Sequence, residues 1–135
     1  MRYLHTLGAA AMVFAAATSV VARQSSRESP TVKEIMTTMT VPGSDAVFAA
    51  ASDGPSWDAV RKGAALVEES GRLLMTGARV RDRDGWVQNA RDLVARAETA
   101  RRIADTTKNV DALIEAGDRL YETCKACHDR YPTGN

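Results

Sequence analysis

The sequence predicts an all-α protein built as an antiparallel up-and-down four-helix bundle. Three observations predict this fold. The 135-residue chain contains four segments in which apolar residues recur with helical spacing. It contains no convincing run in which apolar and polar residues alternate, as they would in a half-buried strand. The turns between the segments are short and contain Gly, Pro or Asp, and short connections favour neighbouring helices that run in opposite directions.

The N-terminus, residues 1–22, has the features of a secretory signal peptide. It begins with a short region that carries one Arg, continues as an uncharged stretch over residues 7–21, and ends in the small residues Val20-Val21-Ala22. The uncharged stretch is shorter than the roughly 20 residues that span a bilayer. We therefore expect cleavage after Ala22 and no membrane span in the mature chain.

The mature chain is expected to form one domain. Residues 23–30 (RQSSRESP) are polar and contain Pro, which predicts a disordered lead-in. Residues 31–135 are long enough for a single core. The formal charge of the whole chain is +1, and loss of the one Arg in the signal peptide brings it to about zero. Because Lys and Arg are interleaved with Asp and Glu, the sequence does not favour a nucleic-acid partner.

The first helix is predicted from about Thr31 to Thr40. Its apolar positions are Val32, Ile35, Met36 and Met39. Pro42-Gly43 follows, and SDAVFAAAS then resumes a helical pattern, which predicts a broken or kinked helix.

The second helix begins after Ser56, a good N-cap residue, and the third spans roughly Arg83 to Thr106. In both helices the apolar residues are spaced by alternating threes and fours, which makes one continuous face on each helix. The face of the second is formed by Trp57, Val60, Ala64, Val67, Gly71 and Leu74, and that of the third by Trp86, Ala90, Leu93, Ala97, Ala100 and Ala104. Because the third face is mostly alanine, a neighbouring helix can approach closely.

The fourth helix is predicted to open at Asn109 and to end at Pro132-Thr133-Gly134. Its apolar residues are expected to share one side of the helix. They are Val110, Leu113, Ile114, Gly117, Leu120, Tyr121, Cys124, Cys127, His128 and Tyr131.

The fourth helix carries the motif CKACH at residues 124–128. Covalent haem attachment needs two thiols that reach the two vinyl groups of one porphyrin, and an axial ligand beside the second thiol. C-x-x-C-H is the sequence form of this c-type attachment. Positions i, i+3 and i+4 are neighbours on a helix, so Cys124, Cys127 and His128 project from one face. The motif therefore predicts one covalently bound haem c with His128 as proximal iron ligand.

Three other interpretations of the motif are weaker. A thioredoxin-like redox pair lies at the start of a helix after a strand, whereas this motif closes the last helix. A zinc site needs about four ligands, and the mature chain has no further Cys or His to complete one. A disulfide between positions i and i+3 would cross-link almost nothing and would leave the adjacent His unexplained.

The number of histidines in the sequence also limits which residue can be the second axial ligand of the iron. His5 lies in the signal peptide, so His128 is the one histidine of the mature chain and a second histidine ligand is not available within it. The sixth position must be a Met, a weaker ligand or empty. Met36, Met39 and Met75 are the mature methionines, and each could equally be a core residue.

Arg130 is the first candidate to pair with a haem propionate, because it is a guanidinium close to the axial His in sequence. The alternative is a solvated cation at the C-terminal end of the helix dipole.

With its signal peptide, its four helices and C-K-A-C-H-x-x-Y in the last of them, the chain resembles the class II c-type cytochromes, the cytochrome c-prime superfamily. The segment TVKEIMTTMTVPGSDAVF resembles the first helix of the methionine-ligated, low-spin branch. In that branch a Met on the first helix faces the distal side of the haem, with another apolar residue three positions later. The resemblance implies Met36 as the distal iron ligand and Met39 as the fallback. The break at Pro42-Gly43 departs from the long straight first helix of cytochrome c-prime itself.

The resemblance and the motif together imply a periplasmic mono-haem cytochrome that carries single electrons between transiently bound redox partner proteins. The alternative is a five-coordinate, cytochrome c-prime-like protein that binds nitric oxide or another diatomic gas. The resemblance is compatible with a monomer or with a homodimer formed through the first two helices. No nucleophile, base or metal cluster is visible beyond the motif, so we do not expect an enzyme.

Overall fold

The computed structural model describes residues 29–49 and 54–133, and within these residues the chain is all-helical. These described residues form four helices. Helix α1 covers residues 32–48, α2 is Trp57–Leu74, α3 is Gly85–Asp105 and α4 is Val110–Arg130. A short 3-10 turn, Gly77–Arg79, lies between α2 and α3. The predicted signal peptide, nearly all of the predicted lead-in, the end of the SDAVFAAAS segment and Gly134 lie outside the described residues.

Helix α1 has three parts with continuous helical backbone: an α-helical turn Val32–Ile35, a π-helical segment Met36–Thr40 and an α-helical part Val41–Phe48. The predicted interruption at Pro42-Gly43 is therefore wrong: the chain stays helical there, and the irregularity lies one turn earlier. Thr31 and Glu34 form a reciprocal capping box at the N-terminus of the helix.

Pro42 explains why the preceding turn is π-helical. A proline within a helix has no N–H to donate to the carbonyl four residues back, and its ring crowds that carbonyl. In the π-helical segment the N–H of Val41 instead donates to the carbonyl of Met36, five residues back. The hydroxyl of Ser44 donates to the carbonyl of Thr40 at 2.8 Å, and the hydroxyl of Thr38 donates to that of Glu34 at 2.6 Å. The wider π-helical turn thus accommodates the proline, and the backbone stays helical.

The other three helices begin and end close to the predicted positions. The Ser56 side chain caps α2 by accepting from the N–H of Ala59, and the Asn109 side chain caps α4 by accepting from that of Ala112. Helix α4 ends just before Pro132, which cannot continue it.

Helix α2 packs against α1 and α3, and α4 packs against α3 and α1. The alanine-rich stripe predicted for α3 is buried along its whole length, from Trp86 to Ala104. At Gly71 of α2 an added Cβ atom would lie 3.1 Å from the carbonyl oxygen of Ala90. Small residues on both helices therefore let their backbones approach closely, as the sequence predicted.

A buried carboxylate also joins α2 to α3. Glu68 is nearly inaccessible to solvent, and it accepts a hydrogen bond of 2.5 Å from Nε of Arg101 on α3. Arg72 reaches the second oxygen of Glu68 at 3.1 Å. The pKa of Arg101 is raised, mainly because of its hydrogen bond to Glu68. Paired in this way, Glu68 avoids the large cost of an unpartnered buried charge.

Helices α1 and α2 are in backbone contact at Gly43 and Gly63. A Cβ atom added to Gly63 would lie 2.6 Å from the carbonyl oxygen of Gly43 and 2.7 Å from Cβ of Ala46. Neither atom can move without moving α1 itself. The two helices can therefore keep this distance only with glycine at both positions.

The apolar face predicted for α4 is not buried as a whole. Leu113, Gly117 and Leu120 are buried against the other helices. Val110, Ile114 and Tyr121 are instead exposed, with 41%, 39% and 60% of their surface accessible. The prediction that the apolar residues and His128 share one side, facing the core, is wrong for these three and for His128, which is exposed as well. None of the described helices is both long and apolar enough to cross a membrane.

We predict that Gly63→Ala lowers the free energy of unfolding by roughly 1–3 kcal/mol, because the added methyl group overpacks a contact formed by backbone. This loss outweighs the gain of up to about 1 kcal/mol that alanine brings to a helix interior. Denaturant unfolding followed by circular dichroism measures the difference.

Gly117→Ala is the matched control for this prediction. It makes the same chemical change within a helix, but the nearest atom to an added Cβ there is Cδ1 of Phe48 at 3.6 Å, an ordinary contact. We expect this variant to be as stable as the parent or more stable. A Gly63→Ala protein at least as stable as the parent would contradict the close α1–α2 contact.

Candidate functional site

An apolar cavity lies between α1, α3 and α4 at the end of the protein where α2 also ends. Its volume is about 200 Å³. Large apolar side chains make up much of its wall, namely Val41, Phe48, Leu74, Trp86, Leu93 and Tyr121. We call it the motif cavity, because Cys124, Cys127 and His128 all line it.

The three motif residues reach the cavity from the last two turns of α4. Spacing by three and four positions places them on neighbouring points of one helix face. The two cysteines are half-buried and His128 is exposed. The cysteines and the histidine of the motif thus line a single apolar cavity.

Met36 lines the same cavity from α1, within the π-helical segment. Met39 and Met75 are half-buried residues that pack against the core, and neither is among the described residues that line the motif cavity. Of Met36, Met39 and Met75, the structure therefore brings Met36 together with the motif. This is the residue that the family resemblance implies as distal ligand.

Burial raises the pKa of both thiols above the ordinary value. For Cys124 burial is the main cause, and the neighbouring Cys127 adds to it. For Cys127 burial is again the main cause, opposed by the positive charge of Arg81 and by a hydrogen bond with Asn89. Cys127 also lies in the last turn of α4, where the helix dipole disfavours a negative charge. A redox-active C-x-x-C pair has the opposite features, namely a helix N-terminus and a lowered pKa.

Tyr131 anchors the end of α4 to the start of α3. Its hydroxyl donates a short hydrogen bond to Oδ2 of Asp82, and Oδ1 of Asp82 accepts from the N–H of Gly85 at 2.6 Å and from that of Trp86 at 3.2 Å. The Tyr131 ring meets the Trp86 ring edge to face, with 5.2 Å between centroids. Because Tyr131 lies one turn beyond His128, this anchor also holds the motif in place.

Trp86 belongs to the wall of the motif cavity as well as to the core. It is buried, and its Nε1–H donates to the carbonyl of Leu74 at 2.7 Å. The sequence favoured a core role for Trp86 and gave no reason to select it as a site residue. A tryptophan in the first turn of a helix, 38 positions before Cys124, carries no signal of its own.

Arg130, the predicted partner of a haem propionate, is not among the described residues that line the motif cavity. Its guanidinium lies over the Tyr131 ring, 5.5 Å from the centroid. The sequence did not select Arg81, another cation close to the motif. The Arg81 guanidinium lies 5.2 Å from the centroid of the Trp86 ring, and its charge acts on Cys127. Arg81 comes from the link between α2 and α3, where no periodic pattern marks it.

Searches of protein-family models, curated proteins and solved structures give no match for this chain.

We predict that Tyr131→Phe lowers the Tm by a few degrees at neutral pH, because it removes the hydrogen bond to Asp82 that anchors α4. This hydrogen bond is the main cause that lowers the pKa of Asp82 below its ordinary value of 3.8. Burial is the main cause that raises the pKa of Tyr131 above 10.0, and the bond to Asp82 adds to it. Calorimetry of both proteins across the pH range measures the effect.

The two pKa shifts set the pH window of this difference. A lowered folded-state pKa at Asp82 gives stability that is complete above the unfolded-state value and is lost as pH falls below about 3.8. A raised pKa at Tyr131 gives stability that is complete below 10.0 and is lost as pH rises beyond it. The difference in Tm should therefore be largest between these limits. Tyr121→Phe, at an exposed tyrosine, is the control, and an equal effect of both variants would contradict the anchor.

Proposed function

We propose that this protein is a periplasmic mono-haem c-type cytochrome that carries single electrons, with the haem bound in the motif cavity. One observation carries the proposal: the two thiols, the imidazole and the Met36 thioether line the same apolar cavity. We further propose that the four helices form the antiparallel up-and-down bundle of the class II c-type cytochromes, and that an N-terminal signal peptide exports the chain.

The donor set fits a haem c. Cys124 and Cys127 would supply the two thioether bonds, and His128 would supply the proximal nitrogen. Met36 would supply a sulfur from another helix. In the described residues no three His, Cys, Asp or Glu side chains are grouped to hold a bare metal ion. A porphyrin brings its own four nitrogen ligands, so the protein needs to supply only the axial groups.

The volume of the motif cavity limits how a haem could be accommodated there. At about 200 Å³ it lies below the roughly 300–1,000 Å³ that is typical of ligand pockets. A macrocycle would therefore either separate α1 from α4 somewhat or leave part of its edge in solvent on the side of His128. An exposed edge suits outer-sphere electron transfer, for which partners meet through small and weak interfaces.

The bound haem would supply the one-electron chemistry, by changing between ferric and ferrous iron. The chain's own residues would set how readily this occurs. A Met ligand raises the reduction potential. The apolar wall of Phe48, Leu93 and Trp86 disfavours the additional positive charge of the oxidised state and so acts in the same direction. The hydrogen bond from Tyr131 to Asp82 keeps the last turns of α4, and with them His128, in one position.

The second candidate function is binding of a diatomic gas, and it depends on the sixth position. If Met36 packs in the wall without ligating the iron, the distal side is apolar and open to nitric oxide or carbon monoxide. The half-buried state of Met36 and the apolar lining are compatible with this function.

Covalent attachment can be tested on a denaturing gel. We expect the protein, expressed with its signal peptide in a bacterium that has a c-type maturation system, to keep haem on the polypeptide after denaturation. The double variant Cys124→Ala/Cys127→Ala should lose it, because no thioether can form. Peroxidase staining of the gel detects the haem. A parent protein without stained haem would contradict the proposal.

Met36→Ala tests the distal ligand. We expect a change from a low-spin haem that does not bind carbon monoxide to a high-spin haem that binds it, together with a fall in reduction potential. Met39→Ala is the matched control, a methionine of the same π-helical segment that packs against the core, and its spectrum should stay low-spin. Optical spectra of both variants, oxidised and reduced, decide the outcome. An unchanged spectrum of Met36→Ala would overturn the ligand assignment.

A further inference from the structure

Four large apolar side chains are exposed in the part of the chain that the structure describes, and all four lie on α1 and α4. They are Val41 on α1 and Val110, Ile114 and Tyr121 on α4, and their accessible fractions range from 39% to 60%. On α4 the three residues are spaced by four and seven positions, which places them on one stripe. On α1, Phe48 lies seven positions after Val41 and contacts Tyr121 edge to face. We call this surface the α1–α4 face.

The α1–α4 face contains a groove. A second cavity of about 250 Å³ opens between the two helices. Its wall is apolar except for one carboxylate, and it is formed by Val47, Phe48, Leu113, Ile114, Gly117, Asp118 and Tyr121. Phe48 and Tyr121 also line the motif cavity. The groove and the motif cavity are therefore neighbours that share this aromatic pair.

Carboxylates flank the α1–α4 face on its α4 side. Asp111, Glu115, Asp118 and Glu122 are spaced by four, three and four positions, so they form an exposed stripe. Asp111, Glu115 and Glu122 each follow a residue of the apolar stripe by one position, so the two stripes run side by side. Helix α4 as a whole has five carboxylates and three Lys or Arg residues.

Helix α1 adds one more carboxylate. Asp45 is exposed and lies four positions after Val41 and three before Phe48, so it shares their side of the helix. Among these five carboxylates on the two helices lies one cation, Arg119, which pairs with Glu115 at 2.7 Å. The apolar groove therefore has an excess of negative charge beside it.

From this surface we infer that the α1–α4 face docks a partner protein whose contact surface is an apolar patch surrounded by Lys and Arg. The partner's apolar patch would cover the groove, and its cations would meet the carboxylates beside it. An exposed apolar face with a polar rim is typical of an interaction site. The inference deepens the proposed function and rests on it in one respect, since the shared Phe48–Tyr121 pair makes the partner a redox protein that docks beside the haem cavity.

The charge pattern also decides what kind of association this is. Complementary charges at the rim of an interface accelerate encounter and select the partner, and they add little to affinity once salt screens them. Binding should therefore be weak, fast and sensitive to salt, as an electron carrier that exchanges partners requires. A second copy of this chain would bring the same carboxylates against one another, which disfavours self-association through this face.

The test uses the mature haem protein and a synthetic amphipathic helical peptide as probe, with a leucine face flanked by lysines. Fluorescence anisotropy of the labelled peptide measures the Kd. We expect binding that weakens by about tenfold between about 0.01 and 0.1 M salt, over which the Debye length falls from about 30 to 10 Å. A peptide in which glutamates replace the lysines should not bind.

Three single variants locate the site. Asp118→Lys should weaken binding of the lysine peptide by about fivefold, in line with the energy of an exposed ion pair. Ile114→Gln should weaken it by a similar factor, since it removes an exposed apolar contact of the groove. Glu69→Lys is the matched control, an equal change of charge at an exposed position of α2. It should leave the Kd at about 0.1 M salt within about twofold, because no described residue of α2 lines the groove and salt screens the more distant charge.

Equal effects of Asp118→Lys and Glu69→Lys would overturn the inference, because binding would then follow net charge alone. If sedimentation velocity shows a dimer that Ile114→Gln dissociates, the face binds a second copy of this chain and the inferred basic partner is wrong. The proposed function can fail separately from this inference. If a protein without haem binds the peptide as described, the docking surface is supported and the proposed redox function is contradicted. If a protein with haem does not bind the peptide, only the docking surface is contradicted.

Discussion

The position of the site depends on the backbone contact between α1 and α2 at Gly43 and Gly63. This contact fixes the distance of α1 from the rest of the bundle, and the π-helical segment with Met36 lies immediately before it. Pro42 joins the two features, because it requires the wider turn and precedes the glycine that makes the contact. A larger residue at either glycine would move α1, and with it the wall of the motif cavity that carries the methionine.

A second anchor fixes the other wall. Tyr131 and Asp82 join the end of α4 to the start of α3, and Trp86 packs against Tyr131 and closes the cavity from α3. Both anchors lie at helix ends or crossings, and the cavity between them is lined mainly by apolar side chains. One wall is thus held by close backbone packing and the other by a hydrogen bond and an aromatic contact.

Much of the fold could be predicted from the sequence, since periodic apolar residues and capping residues are local signals. The helices after Ser56 and Asn109 begin as predicted, and the alanine stripe of α3 is buried as predicted. Helix α1 was not predicted correctly, because a π-helical turn inserts one extra residue and shifts the register, which the regular period does not show. The period also placed Ile114 and Tyr121 on the buried side of α4, although the surface that a helix leaves uncovered is decided by its neighbours.

The part of the candidate site that forms a sequence motif could be predicted, whereas the part that helix packing brings together could not. Cys124, Cys127 and His128 follow each other in sequence, so their spacing reveals them. Asp82 and Arg81 come from an irregular link and reach the motif only through the packing of α3 against α4.

The most direct test of the central claim is the optical spectrum of the exported protein, oxidised and reduced, before and after carbon monoxide is added. The account predicts low-spin bands in both oxidation states that carbon monoxide does not change, because His128 and Met36 fill both axial positions. High-spin bands that shift with the gas would contradict the electron-carrier account and leave an open iron in an apolar cavity.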